Sequence, residues 1–189
     1  TKDLAKVLIY TNSKRVWRSN TRGDYWVLDR ASGTLQKLGG KAKPSTLMFA
    51  KFSPVDSNQV AYVREKNVYV EDLKTGKIRS LTKRSSKTVI NGTFDWVYEE
   101  ELSLRDGFRW SPDGKSIAYW QLDEDGVREM HMIDNVSGYY PKVITFCYPK
   151  TGETNAKGRV GVVNLASGKT IWMKVPGAVR NHYIARMDW

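Results

Sequence analysis

The sequence is poor in the residues that build disulfides and metal sites. Its 189 residues include one cysteine, Cys147, and two histidines, His131 and His182. A single cysteine excludes an internal disulfide, and these three residues together fall short of the usual set of zinc ligands. The sequence therefore predicts neither a metal site nor a cofactor.

Long apolar runs are also missing. No stretch approaches the roughly 18 consecutive apolar residues that a transmembrane helix needs. The first residues, TKDLAKVLIY, do not have the basic start, apolar middle and small-residue cleavage site of an export signal. Aromatic residues, in contrast, are abundant, with seven tryptophans and ten tyrosines. Such a composition excludes a disordered polymer and predicts a globular domain with a real core.

Positive charge is concentrated in the first half of the chain. The formal net charge is +11, and residues 1–90 hold 19 Lys and Arg against 7 Asp and Glu. Residues 91–189 hold 12 against 13. A basic nucleic-acid binder is one alternative, and salt-dependent retention on DNA would reveal it. Because the cations are scattered singly and follow no known reading motif, no nucleic-acid partner is predicted.

Short runs of alternating apolar residues, rich in β-branched and aromatic side chains, recur along the chain and predict strands. They are KVLIYT, DYWVLD, QVAYV, NVYVEDL, SIAYWQL, RVGVVNL and TIWMKV, and REMHMID is interpreted as a further strand. Glycine turns lie between several of these runs, as tight hairpins require: ASGT at 31–34, KTGK at 74–77 and ASGK at 166–169. The pattern predicts antiparallel meanders rather than βαβ units.

The strand pattern also repeats. Residues 49–82 and 107–134 share an aromatic strand, Ser-Pro, an aspartate, a polar turn and a strand with Ala-Tyr. Four-stranded units of about 40–45 residues are typical of propeller blades, and a propeller usually closes with about four to eight of them. The sequence therefore predicts an all-β fold, with a single partial β-propeller domain over 1–189 and about three to four antiparallel blades. The predicted repeats lie near 6–40, 47–82 and 107–175, with an insertion at 83–106 and the start of a next blade at 183–189.

The predicted insertion carries the most unusual motif, FDWVYEEEL, in which three adjacent glutamates follow two aromatic residues. One interpretation is a short helix with an aromatic face and a solvated acidic face. The other is a binding site for a cation, because a pair of carboxylates offers enough acceptors for the three donors of an ammonium group. An aromatic and acidic excursion that a blade does not need is a candidate functional loop.

The segment NGTFDWVYEEEL resembles the Asp-Trp-Val-Tyr-Glu-Glu-Glu motif of the dipeptidyl peptidase IV family, in the N-terminal propeller of the prolyl oligopeptidase clan. The resemblance continues through RWSPDGKSIAYWQLDE and YYPKVITFCYPKTGETNAKGRVGVVNL, and upstream through YTNSKRVWRSNTRGDYWVLD. It covers the chain from about Tyr10 to Asn164. Arg15 stands where the family has lysine, and LSLRDGF after the glutamates diverges from the family pattern.

The resemblance implies a substrate site. Glu100 and Glu101 match the glutamates that bind the free α-ammonium of a peptide substrate, and Arg18 matches the arginine that reaches a substrate carbonyl or carboxylate. Glu99 is expected to support them. Trp96 and Tyr98 are expected to anchor the helix rather than to contact substrate.

The resemblance also implies a catalytic domain elsewhere in the parent protein. Family members hydrolyse peptides with serine, aspartate and histidine on a C-terminal α/β-hydrolase domain, and no Gly-x-Ser-x-Gly elbow occurs in this chain. The expected role is therefore a non-catalytic fragment that binds substrate N-termini and gates access to that domain. An inactive pseudo-peptidase and a protein-binding propeller remain alternatives. An extracytoplasmic location is expected, whether periplasmic, secreted or membrane-associated.

The segment between the predicted strands REMHMID and RVGVVNL is too long and too apolar for an ordinary blade loop. It is expected either to fold back on its own propeller or, as in the resembling family, to form an arm of a homodimer. The arm would run over Tyr139–Thr151. Its candidate contact residues are Tyr139, Tyr140, Phe146 and Tyr148.

Overall fold

A computed structural model describes residue 1 and residues 4–189. Short antiparallel strands dominate them, together with one helix of seven residues. Alternating β-branched and aromatic residues favour strands because one face of each strand can be buried. The prediction of an all-β fold of antiparallel blades with a short helical insertion is confirmed.

The first sheet contains the strands of residues 6–80. Strands β4 to β7 pair in chain order and form a four-stranded antiparallel blade, and β2 lies between β1 and β4 with β3 also paired to it. The register pair Gly23↔Leu47 joins β2 to β4. The strands are β1 (Lys6–Lys14), β2 (Arg22–Asp29), β3 (Leu35–Lys37), β4 (Leu47–Phe52), β5 (Gln59–Arg64), β6 (Asn67–Asp72) and β7 (Ile78–Ser80).

The second sheet is built around one long strand, β10. Strand β13 pairs along one side of β10, while β9 and β8 share its other side, and β14 extends the sheet beyond β13. The remaining elements are β8 (Val89–Asn91), α1 (Trp96–Leu102), β9 (Phe108–Trp110), β10 (Ser116–Asp123), β11 (Glu129–Asp134), β12 (Lys142–Cys147), β13 (Lys157–Asn164) and β14 (Thr170–Trp172). Helix α1 thus lies between two strands that both pair with β10.

The interpretation of REMHMID as a blade strand is wrong. Strand β11 pairs with β12 over six residues, from Glu129↔Cys147 to Asp134↔Lys142, and the two form a separate hairpin. The segment after β11 supplies a nearby partner, and local closure costs less entropy than a distant pairing. The chain therefore leaves the blade at β11, before the predicted arm at Tyr139–Thr151 begins. Strand β13 occupies the position beside β10.

The three predicted glycine turns share one geometry. Gly33, Gly76 and Gly168 have positive φ values of 70°, 68° and 69°, and each N–H donates to the carbonyl of the residue four positions earlier. Those earlier residues are Asp29, Asp72 and Asn164, whose side chains also accept backbone N–H groups of their turns. Glycine fits because a Cβ is unfavourable at this backbone conformation.

Within the part of the chain that the structure describes, three hydrophobic clusters form the core. One lies between the two large sheets and includes Val63, Val68, Phe108 and Ile117, and another fills the first sheet around Val60 and Tyr62. The third contains Phe94, Tyr98 and Trp120 and lies directly beneath the helix. The helix is therefore attached to the blade through a packed aromatic cluster. The repeat boundaries suggested by the sequence stay a prediction.

Candidate functional site

Helix α1 begins and ends at recognisable capping residues. The Asp95 side chain accepts a 3.0 Å hydrogen bond from the Tyr98 N–H, as an N-cap aspartate does. At the other end, Ser103 adopts the left-handed conformation with φ 55°, and the N–H groups of Ser103 and Leu104 both point to the Tyr98 carbonyl. These caps limit the helix to the seven residues that carry the glutamates.

An aromatic face fixes the helix to the blade. Phe94 and Tyr98 stack with ring centroids 5.4 Å apart, and Phe94 meets Trp120 edge-on at 5.2 Å. The Tyr98 hydroxyl accepts a 3.1 Å hydrogen bond from the Ile184 N–H, and the Trp120 indole donates to the Ile184 carbonyl. Tyr98 is thus an anchor, whereas Trp96 lies half-buried beside Tyr148 with centroids 4.2 Å apart.

The three glutamates face different surroundings, since successive helical residues point about 100° apart. The carboxylate of Glu99 is buried, and its Oε1 lies 3.6 Å from Arg105 Nε. Neither atom has a hydrogen-bond partner among the described residues. Burial raises the pKa of Glu99, Arg105 opposes the shift, and Glu100 adds to it.

Glu100 and Arg18 form an ion pair across 82 positions of the sequence. The Glu100 side chain is 9% exposed, whereas that of Arg18 is 77% exposed. Arg18 lies in the loop between β1 and β2, where Trp17 packs on Phe146 at a centroid distance of 5.1 Å. The pair therefore connects the first sheet, the helix and the hairpin region.

Glu101 is exposed and faces a different space. It lines a cavity of about 580 Å³ between the helix and the chain after β12, together with Trp96, Tyr148, Tyr183 and Glu153. The structure therefore brings Arg18 and Glu100 together, whereas Glu101, which follows Glu100 in sequence, lines a cavity of its own.

A second cavity, of about 420 Å³, lies on the other side of the helix. Asp95, Glu99 and Glu124 line it with Lys66, whose Nζ is 3.6 Å from Glu124 Oε2. Burial raises the pKa of Asp95 to about 6 and also raises that of Glu124. Sequence reasoning missed Asp95 and Glu124, although an aspartate directly before a helical run is a recognisable N-cap signal.

The candidate arm residues divide into two pairs. Phe146 and Tyr148 are half-buried and contact Trp17 and Trp96 of the same chain. Tyr139 and Tyr140 lie in the turn between β11 and β12 and are fully or largely exposed. The base of the hairpin therefore packs on this chain, while its outer end presents apolar side chains to solvent.

Residue 1 and residues 4–189 contain no group of three or more His, Cys, Asp or Glu side chains arranged to hold a metal ion. No helix among them has the length and apolar character needed to cross a bilayer.

A four-stranded antiparallel blade, β4 to β7, next to a second antiparallel sheet that carries an acidic helical insertion defines the class of the protein, which is part of a β-propeller domain. A family model described as the dipeptidyl peptidase IV (DPP IV) N-terminal region matches residues 1–189. The chain therefore belongs to the family of dipeptidyl peptidase IV N-terminal regions.

Two similar proteins illustrate the relationship. Dipeptidyl aminopeptidase B of Saccharomyces cerevisiae is 33% identical over 180 residues, covering 93% of this chain and 21% of that protein. The crystal structure of Porphyromonas gingivalis dipeptidyl peptidase 4 superposes with a TM-score of 0.85 at 28% identity, over 93% of this chain and 25% of that one. The chain thus spans about a fifth to a quarter of these relatives.

Proposed function

We propose that this chain is the non-catalytic propeller region of a dipeptidyl peptidase IV-like serine exopeptidase, and that it binds the free N-terminus of peptide substrates. The observation that carries the proposal is the ion pair between Arg18 and Glu100, which lie far apart in sequence. It supports a composite site, because the two motifs singled out from the sequence meet in space.

The chemistry of the three side chains suits a peptide N-terminus. An α-ammonium has three donors, and Glu100 with Glu101 offers two carboxylates on adjacent helical residues. Arg18 uses Nε for Glu100, which leaves its Nη donors for a substrate carbonyl. In this proposal Arg18 also orients Glu100, and a bound ammonium shares Glu100 with it while Glu101 supplies the second acceptor.

Hydrolysis is assigned to a part of the parent protein outside these residues. We propose a C-terminal α/β-hydrolase domain as the intramolecular partner and an extracytoplasmic location for the parent. The isolated chain is then expected to release no chromophore from Gly-Pro-p-nitroanilide. Activity of the pure chain, with contaminating peptidases excluded, would contradict this assignment.

The decisive experiment uses the full-length parent with Glu100→Gln and Glu101→Gln. Each change removes one charge-assisted contact to the substrate ammonium and is expected to cost about 2–4 kcal/mol in kcat/KM on dipeptidyl anilides. Glu129→Gln, an exposed change on β11, is the matched control. Normal kcat/KM in both variants would refute the clamp.

A wild-type parent that hydrolyses nothing would favour the pseudo-peptidase. Calorimetry then separates a pseudo-peptidase that keeps the clamp, which binds Gly-Pro, from a protein-binding propeller, which does not need to bind it.

The parent is also proposed to be a homodimer through the hairpin arm. The support is the exposure of Tyr139, Tyr140 and Val143 at its outer end, which is more apolar surface than a solvated loop requires.

A further inference from the structure

The segment that leads out of helix α1 is held by an ion cluster between the two large sheets. Lys51 Nζ, on β4 of the first sheet, is 2.6 Å from both carboxylate oxygens of Asp106. The same ammonium donates a 2.8 Å hydrogen bond to the Phe108 carbonyl and lies 3.8 Å from the centre of the Phe108 ring. Asp106 precedes β9 of the second sheet, so this cluster joins the sheets where the chain returns from the helix.

A second cation reaches the same place. Arg109 Nη1 donates to the carbonyls of Asp106 and Phe108 at 2.9 and 2.8 Å and lies 3.6 Å from the Asp106 carboxylate. Lys51 and Arg109 occupy the same position in the two sequence repeats, FAKFSP and GFRWSP. Equivalent residues of strands β4 and β9 therefore converge on one aspartate, Asp106. Burial lowers the pKa of Lys51 to about 8, Asp106 opposes the shift, and Arg109 adds to it.

The helix needs such support because it is short. Isolated helices below about 12–15 residues are marginal in water, so the direction of α1 depends on its tertiary contacts. At its start, Phe94 and Tyr98 supply a packed anchor. At its end, the exposed Glu101 is followed by Leu102 and Leu104, which are only partly buried, and then by the Asp106 cluster.

We propose that Lys51 and Asp106 are positioning residues that fix the exit of helix α1 and thereby the direction of Glu100 and Glu101 toward a substrate ammonium. This inference rests on the proposed function. Neither residue is placed in contact with substrate. Both side chains are about one-third exposed, so solvent screens their attraction and a moderate effect is expected.

The test compares two ligands of the full-length parent that differ only in an amino group. Gly-Pro carries the α-ammonium, and N-acetylproline is the same molecule without it. Lys51→Met and Asp106→Asn are each expected to raise the calorimetric Kd of Gly-Pro about threefold to tenfold, with the Kd of N-acetylproline held within about twofold. Lys51→Arg keeps the charge and should lie closer to wild type. Lys74→Met, on an exposed turn, is the matched control.

Each outcome is decisive. Equal weakening of both ligands would show general damage and overturn the positioning role, as would unchanged Kd values for Gly-Pro in Lys51→Met and Asp106→Asn. Because Glu100→Gln and Glu101→Gln are measured in the same experiment, the positioning role and the proposed function are tested independently. If the glutamate variants weaken Gly-Pro and the Lys51 and Asp106 variants do not, only the positioning role is wrong. If the glutamate variants also bind Gly-Pro normally, the proposed function itself is wrong.

Discussion

Strand β5 and the hairpin β11–β12 contain similar apolar residues in opposite environments. Val60, Tyr62 and Val63 of β5 are fully buried, whereas Ile133 and Val143 of the hairpin are 65% and 68% exposed. The composition of a strand therefore does not determine its burial. Strand β5 lies inside a sheet with packed layers on it, and the hairpin extends from its blade with no residue of the described part of the chain covering its outer end.

Buried acidic residues show a second contrast, between the blade and the helical insertion. Glu71 in β6 accepts hydrogen bonds from the Gly39 N–H at 2.8 Å and the Tyr62 hydroxyl at 3.1 Å. Glu99 in the helix is equally buried, yet its Oε1 has no hydrogen-bond partner among the residues described. The blade satisfies its buried carboxylate with two hydrogen bonds, while the helical insertion leaves Glu99 with an ion pair to Arg105 at 3.6 Å and no hydrogen bond to its Oε1. Such an arrangement is typical of a region kept for binding rather than for stability.

The largest expected effect tests the contrast between buried blade strands and the exposed hairpin. The same substitution, isoleucine to alanine, is made at one position of each kind. Ile117→Ala removes side-chain atoms from a fully buried position and is expected to lower the free energy of unfolding of the chain by about 2–5 kcal/mol. Ile133→Ala removes the same atoms from the exposed hairpin, where about 0.5 kcal/mol or less is expected. Urea unfolding of both variants measures the difference. Comparable losses would show that the hairpin is covered in the isolated chain.

The second effect concerns what covers the hairpin. In the full-length parent, Tyr140→Asp places a charge in the proposed dimer contact and is expected to weaken the dimer by about 2 kcal/mol or more. Light scattering across a dilution series measures this change. Val55→Asp, at an apolar residue in a blade turn that is also largely exposed, should leave the dimer intact. A monomeric wild-type parent, or a dimer indifferent to Tyr140→Asp, contradicts the arm.

The third effect separates the two buried acids. Glu71→Leu leaves the Gly39 N–H and the Tyr62 hydroxyl without their acceptor, and the expected loss of unfolding free energy is about 1–3 kcal/mol. Glu99→Leu removes a carboxylate whose Oε1 accepts no hydrogen bond among the described residues, and its ion-pair partner Arg105 is 36% exposed and stays partly solvated, so a change within about 1 kcal/mol is expected. A larger loss at Glu99 than at Glu71 would reverse the contrast.

The smallest effect concerns the N-cap of the helix. Burial raises the pKa of Asp95 to about 6, above its usual 3.8, so the folded state holds more protons than the unfolded state between these values. Stability attributable to Asp95 is therefore present at low pH and is lost as the pH rises through 6. Asp95→Asn keeps a good cap without the charge and should stabilise the chain by about 1–2 kcal/mol at pH 7, and by much less at pH 4. Equal effects at both pH values would show that Asp95 titrates normally.

Local patterns explain which features could be predicted from the sequence. The glycine turns at Gly33, Gly76 and Gly168 were predictable because a positive φ and a preceding Asp or Asn are properties of a few neighbouring residues. The pairing of β11 was not, since its residues suit a blade strand as well as a hairpin. Its partner depends on the entropy cost of closing the loop to each possible partner, which is set by the chain around the strand and not by the strand itself.

The sequence by itself determined most of the longer strands, their antiparallel turns and the position of an acidic helix. Those features follow from side-chain periodicity and turn chemistry, which act over short distances. Tertiary structure alone decided that Arg18 meets Glu100, that Glu99, Glu100 and Glu101 face three different surroundings, and that Lys51 reaches Asp106. These arrangements depend on how the two sheets pack against each other, because that packing sets the distances between residues far apart in the chain.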